Sequence, residues 1–145
     1  MPATIDIAEA VKTELNAGSF SRDFEAERLY APKFELPDMK TLHVSVVPHG
    51  IESEAGTRTT HRTDVQVDIA IQQKLSKTDA AMAGEIDELM ALVEQIADYL
   101  RQRQLTDFPH ALWIRDQNVP VYSQEHLEQF RQFTSVLTLT YRAFR

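Results

Sequence analysis

From Asp64 to Gln72, Val65, Val67, Ile69 and Ile71 take every second position, and Asp64, Gln66, Asp68 and Gln72 fill positions between and beside them. Successive strand side chains point to opposite sides, so this spacing builds a strand that is dry on one face and wet on the other. The branched aliphatics that repeat are also those that suit a pleated, half-buried surface. A sheet made of such strands needs a layer over its dry face, and helices are the simplest cover.

The same period returns at the end of the chain. Phe133, Ser135, Leu137, Leu139 and Tyr141 alternate with Thr134, Val136, Thr138, Thr140 and Arg142. Leu42, Val44 and Val46 alternate with His43 and Ser45 until Pro48 and Gly50 stop the pattern. This strand and the one at Asp64 predict an antiparallel hairpin around Gly56, with a polar tip from Gly50 to Arg62 that is longer than a tight turn requires. Phe24, Ala26 and Tyr30, with Asp23, Glu25 and Glu27 between them, predict a further strand within Phe20 to Tyr30. Pro32 and Pro37 make Ala31 to Lys40 a loop.

Two segments carry helical spacing. Ile7, Val11 and Leu15, with Ala8 beside them, mark one face of a helix over Ile5 to Ala17, with Thr4 as its cap and Gly18 as a left-handed end. Ile86, Leu89, Met90, Val93, Ile96, Ala97 and Leu100 trace the main helix. Ser76 and Asp79 have capping-box spacing before it, Gly84 is a second candidate start, and Arg101 and Arg103 end it with positive charge. Beyond Pro109 come a short apolar piece, ALWIR, a turn at Asp116 to Asn118, and a single helical turn in SQEHLEQF. The expected fold is α+β: one domain over 1–145, with an antiparallel or mixed sheet of about four strands and two main helices packed on one face.

Composition narrows the chemistry. With no cysteine, disulfides, thiolate metal sites and cysteine nucleophiles are all excluded. A formal charge of −7 argues against general affinity for a phosphate backbone, because that affinity comes from Lys and Arg releasing counterions. The opening MPATIDIAEA has neither the basic start nor the apolar run of a signal peptide, and no stretch is long enough to span a bilayer, so synthesis in the cytoplasm is expected. No G-x-S-x-G elbow, P-loop or dinucleotide glycine pattern is present.

The remaining candidates each have a plainer explanation. His43, His49 and His61 lie on the hairpin. With its centre near Ala55, His49 and His61 would face each other, and Asp64 or Glu52 could complete a metal shell, but polar hairpin ends collect such residues by default. His110 and His126 have no partner at ligand spacing. Asp64, Asp68, Gln72 and Lys74 resemble the acidic-then-lysine pattern of some metal-dependent nucleases, yet Asp64 and Gln72 lie about 26 Å apart along one strand and cannot share an ion. Glu25 and Glu27 beside Arg22 and Arg28 read as exposed strand charges, and Met82 and Met90 as core filler. No catalytic, cofactor or metal residue is assigned. The residues singled out instead form a candidate assembly loop at the hairpin tip: Glu52, Glu54, Arg58, His61 and Arg62.

The strings ERLYAP, LHVSVVP, DVQVDIAIQQKL, EIDELMALVEQIADYL and FTSVLTLTYR, in this order, resemble the small phage and prophage proteins of the head–tail junction. The layout is similar to the tail terminator of long-tailed phages and spans nearly the whole chain. The resemblance implies a helix–strand–hairpin–helix–strand fold, a non-catalytic role in the virion, and a ring, usually hexameric, that caps the tail tube and docks to the head connector. Two other classes fit the same residues. One is a small adaptor that binds a different protein through its sheet edge, and the other an enzyme with a metal at the His-rich hairpin.

Overall fold

The computed structural model describes residues 3–31, 41–55, 57–58, 61–76 and 78–144. In chain order these form α1 (Ala3–Ala17), β1 (Ala26–Arg28), β2 (His43–Ala55), β3 (His61–Lys74), α2 (Asp79–Leu100), β4 (Leu112–Gln117), α3 (Gln124–Phe130) and β5 (Gln132–Phe144). The strands make one mixed sheet in the order β1-β2-β3-β5-β4, parallel only between β1 and β2.

The α+β class is therefore as expected, with a fifth strand added and the helical turn expected in SQEHLEQF lengthened into α3. Val65, Val67, Ile69 and Ile71 of β3 are fully buried. Their partners Tyr141, Leu139 and Leu137 on β5, and Val46 and Val44 on β2, share that face and one core cluster. Ile7, Val11 and Leu15 of α1 and Leu89, Leu92, Val93, Ile96 and Leu100 of α2 complete the cluster. Val47 and Ala70, on the opposite face of the sheet, are buried but lie outside it. Both long helices thus cover the face that the alternation marked as dry.

Several local expectations give way to tertiary packing. The strand expected over Phe20 to Tyr30 shrinks to Ala26–Arg28. Phe20 and Phe24 stack at 5.4 Å and Phe20 meets Tyr99 edge-on, so their spacing reflects ring packing against α2, and Tyr30 is 76% exposed. Thr4 lies inside α1 rather than capping it. Gly18 has no positive φ; its Cβ would meet Phe20 and Tyr99 at 2.9 Å, so the residue is small because two rings close over it. The capping box does not form either. Thr78 is the N-cap of α2, while the Ser76 hydroxyl and backbone N–H both donate to the Glu85 carboxylate. Gly84 sits within α2.

ALWIR, left without a structure by its sequence, contributes to the edge strand β4, which runs on to Gln117 through the expected turn. The hairpin tip is also shorter than expected: β2 continues to Ala55 and β3 begins at His61, paired through Glu52 opposite Asp64 and Glu54 opposite Arg62. The loop expected over Ala31 to Lys40 lies, except for Ala31, outside the described residues, as does Gly56.

Four substitutions read this packing directly. Val93→Asp places an unpaired charge in the core and abolishes cooperative melting, whereas Glu94→Ala, on the exposed side of α2, leaves it unchanged. Gly84 is exposed with open space around its Cβ position, so Gly84→Ala raises stability by about 0.5–1 kcal/mol. Gly18→Ala lowers the melting temperature because the Phe20–Tyr99 contact must open.

Candidate assembly surface

The sheet face that α1 and α2 leave uncovered is polar, and its charges are paired in rows across the strands. Arg142 on β5 donates from Nε (2.8 Å) and a terminal nitrogen (3.1 Å) to both carboxylate oxygens of Asp64 on β3. This fork holds the Asp64 carboxyl below the usual range, the Arg142 hydrogen bond outweighing desolvation. One step along, Asp68 accepts from the Thr138 hydroxyl at 2.7 Å and bonds His49 Nδ1 at 2.7 Å. At the far end, Arg62 is paired with Glu54 across the β2–β3 ladder. Edge residues are less satisfied. Ile51 on β2 and Leu112 on β4 are 53% and 54% exposed.

The residues singled out at the hairpin therefore sit on a paired β arm and its tip. Glu52, Glu54, His61 and Arg62 are strand residues, and Arg58 is exposed in the short connection. His49 and His61 do not face each other, because the hairpin is centred beyond Ala55: His61 lies opposite Ala55, and the residues flanking His49, Pro48 and Gly50, lie opposite Val67 and Gln66. Among the described residues no group of three His, Asp or Glu side chains converges. The His49–Asp68 pair has the form of a catalytic dyad, but among the described residues no serine or threonine hydroxyl bonds to His49. Glu25 and Glu27 are exposed as expected, although only Glu27 is on a strand, while their neighbours Arg22 and Arg28 donate to Gln73 at 2.8 Å and to Glu9 at 2.6 Å. Met82 and Met90 pack against the core.

Glu14 escaped the sequence reading. It is 4% exposed and accepts from the Thr106 backbone N–H at 2.6 Å and from Arg103 Nε at 2.9 Å, while its backbone carbonyl accepts from the Tyr99 hydroxyl at 2.9 Å. Desolvation pushes its carboxyl up, but the hydrogen bonds from Thr106 and Arg103 win and the net shift is downward. The available signal was position: Glu14 falls seven residues after Ile7 and three after Val11, on the apolar stripe of α1. Nearby, the Tyr141 hydroxyl and Trp113 indole N–H are buried without a hydrogen-bond partner among the described residues, and burial pushes the phenol upward.

No family model and no curated protein matches the chain. A chain from the virion of a native gene transfer agent particle is similar over 100% of both chains, with TM-score 0.62 and 15% identity. A chain described as the sheath/tube terminator of an extracellular contractile injection system, in its extended state, is similar over 100% of this chain and 57% of that one, with TM-score 0.47 and 18% identity. The first likeness shows a shared fold from end to end. The elements follow the expected helix–strand–hairpin–helix–strand order with β4 and α3 inserted before the last strand, and the whole arrangement is shared with the virion chain.

The carboxylates set an acid limit. Glu14 and Asp64 both have depressed folded values, so the unfolded chain binds more protons, and the stability they supply is present above the ordinary carboxylate range and lost as pH falls through and below it. Melts at pH 7 and pH 3 should show this loss. In Glu14→Gln the pH 7 stability falls by about 1–3 kcal/mol, since Arg103 and Thr106 lose a charged acceptor, and the difference from wild type narrows in acid.

Proposed function

We propose that the chain is a structural subunit of a phage-type particle, associated with the tail. Within it, copies form a ring that caps the tail tube and docks to the head at the head–tail junction. The observation that supports this reading most is the fold shared over the whole of both chains with a protein of a virion particle. The reading is non-catalytic, since Asp64, Asp68 and Glu54 on the open sheet face are used in internal pairs that fix the strands. A net charge of −7 suits a channel through which DNA slides without adhering.

Self-association supplies the ring, six copies being the number the resemblance implies, with tail tube and head-connector proteins as further partners. The protein is made in the bacterial host cytoplasm and ends in the virion. Glu52, Glu54, Arg58, His61 and Arg62, at the projecting end of the β2–β3 arm, form the contact surface for a neighbouring subunit or docking partner. Charged, exposed residues in paired strands are rigid, which favours a defined contact over a flexible one.

Native mass spectrometry of the purified chain tests the ring: a closed homo-oligomer is expected, and a monomer at every concentration and salt overturns it. The same protein binds duplex DNA weakly at about 150 mM salt; sub-micromolar affinity would contradict the proposed lumen, since it needs several Lys or Arg contacts in one patch.

A further inference from the structure

Both sides of the sheet are covered at one level and open at the other. On one side, β1 pairs with β2 only from Val44 to Val46, so β2 from Gly50 to Ala55 has no strand beyond it among the described residues. On the other side, the first half of β5 is flanked by the segment before it. The Ser123 N–H donates to the Thr134 carbonyl at 2.8 Å and the Asn118 side-chain amide to the Val136 carbonyl at 2.8 Å. The second half of β5 pairs with β4, whose outer edge has no strand beyond it among the described residues.

The two open edges lie at the same height. Glu52 is opposite Asp64, Asp64 opposite Arg142, and Arg142 opposite Leu112, so one row crosses the sheet from the β2 edge to the β4 edge. Glu52 and Arg115 are on the same, uncovered face, because Arg115 is opposite Thr140 and Thr140 opposite Gln66. Both are exposed and carry opposite charges; among the described residues neither makes a direct ion pair, and Arg115 acts on the Asp64 carboxylate only at a distance. Each edge also exposes a large apolar side chain, Ile51 on β2 and Leu112 on β4.

We infer that the β2 edge of one copy, Gly50 to Ala55, pairs antiparallel with the β4 edge of the next copy at matching height, so that Glu52 of one lies opposite Leu112 and diagonally beside Arg115, on the same face, of the other. This rests on the proposed self-assembly and specifies its contact. The strand directions require the antiparallel sense: β2 and β4 run oppositely within one sheet, and a neighbour placed in the same orientation presents β4 running against β2. The two edges differ, so each copy has one of each and the contact repeats head to tail. Pairing satisfies the open backbone groups, and the end-to-end charge match fixes which edge meets which.

Charge reversal tests the pairing. Glu52→Arg and Arg115→Glu should each lower the assembled fraction in native mass spectrometry at least tenfold, with melting of the monomer unchanged, and the double variant should restore assembly. Because the chain has no cysteine, Glu52→Cys and Arg115→Cys proteins can also be mixed with a short bis-maleimide. Covalent dimers are expected from the mixture and not from either protein alone. Wild-type rings that survive both reversals, a double variant that stays dissociated, or equal cross-linking of each protein with itself would overturn the edge pairing while leaving the ring intact. A wild-type chain that is monomeric under all conditions overturns both.

Discussion

The ladder between β3 and β5 is the constraint on which the rest depends. It runs from Arg62 opposite Phe144 to Lys74 opposite Gln132 without a shift, and it decides which side of the sheet every other element meets. A slip of one residue would turn Val65, Val67, Ile69 and Ile71 to water and bury Asp64 and Asp68, so the alternation and the helix cover specify each other. The two strands come from distant parts of the chain, with α2, β4 and α3 between them. Closing that separation costs chain entropy before the ladder can offset it, which makes β3–β5 pairing a late and cooperative event.

α1 is fastened to this platform by charge as well as by packing. Glu9 holds Arg28 at the end of β1, and Glu14 holds Arg103 and Thr106 beyond the end of α2. A mostly buried carboxylate is costly unless its oxygens are occupied, and both Glu14 oxygens have donors. The helix therefore bridges β1 on one side and the segment leading into β4 on the other, so its position is coupled to both edges of the sheet.

The strands of strict period and the two long helices were legible because each buries one face and each residue type agrees with its place. Legibility fails where another element decides the outcome. In β4 the bulge between Trp113 and Arg115 breaks the period, so LWIRDQ does not alternate cleanly and Leu112 and Arg115 passed unmarked. The bulge between Pro48 and Gly50 ended the visible pattern of β2, although its pairing resumes at once and carries on to Ala55. Phe20 and Phe24 imitated strand alternation while serving as a ring contact to Tyr99, a residue nearly eighty positions away that no local pattern could supply. The candidate assembly residues were found as a polar run, but their pairing across the hairpin depends on where the hairpin turns, which places Ala55 opposite His61.

Both bulges lie beside open edge segments, one on β2 just past its pairing with β1 and the other on the outer strand β4, and nearly at the same level: one is next to the Gly50–Gln66 pair, the other next to the Arg115–Thr140 pair, and Gln66 and Thr140 are themselves partners. An open strand edge is a template for indiscriminate pairing, and a bulge twists it away from flat partners. Two edges distorted at matching heights accept each other more readily than either accepts an arbitrary strand, because the local twist of one must be followed by the other. A contact of this kind is also heterologous, so the sheet twist between copies, and not the contact alone, determines whether the series closes into a ring or continues as a filament. In the proposed assembly, closure would thus be set by the platform of β3 and β5, while the edges would set only who meets whom.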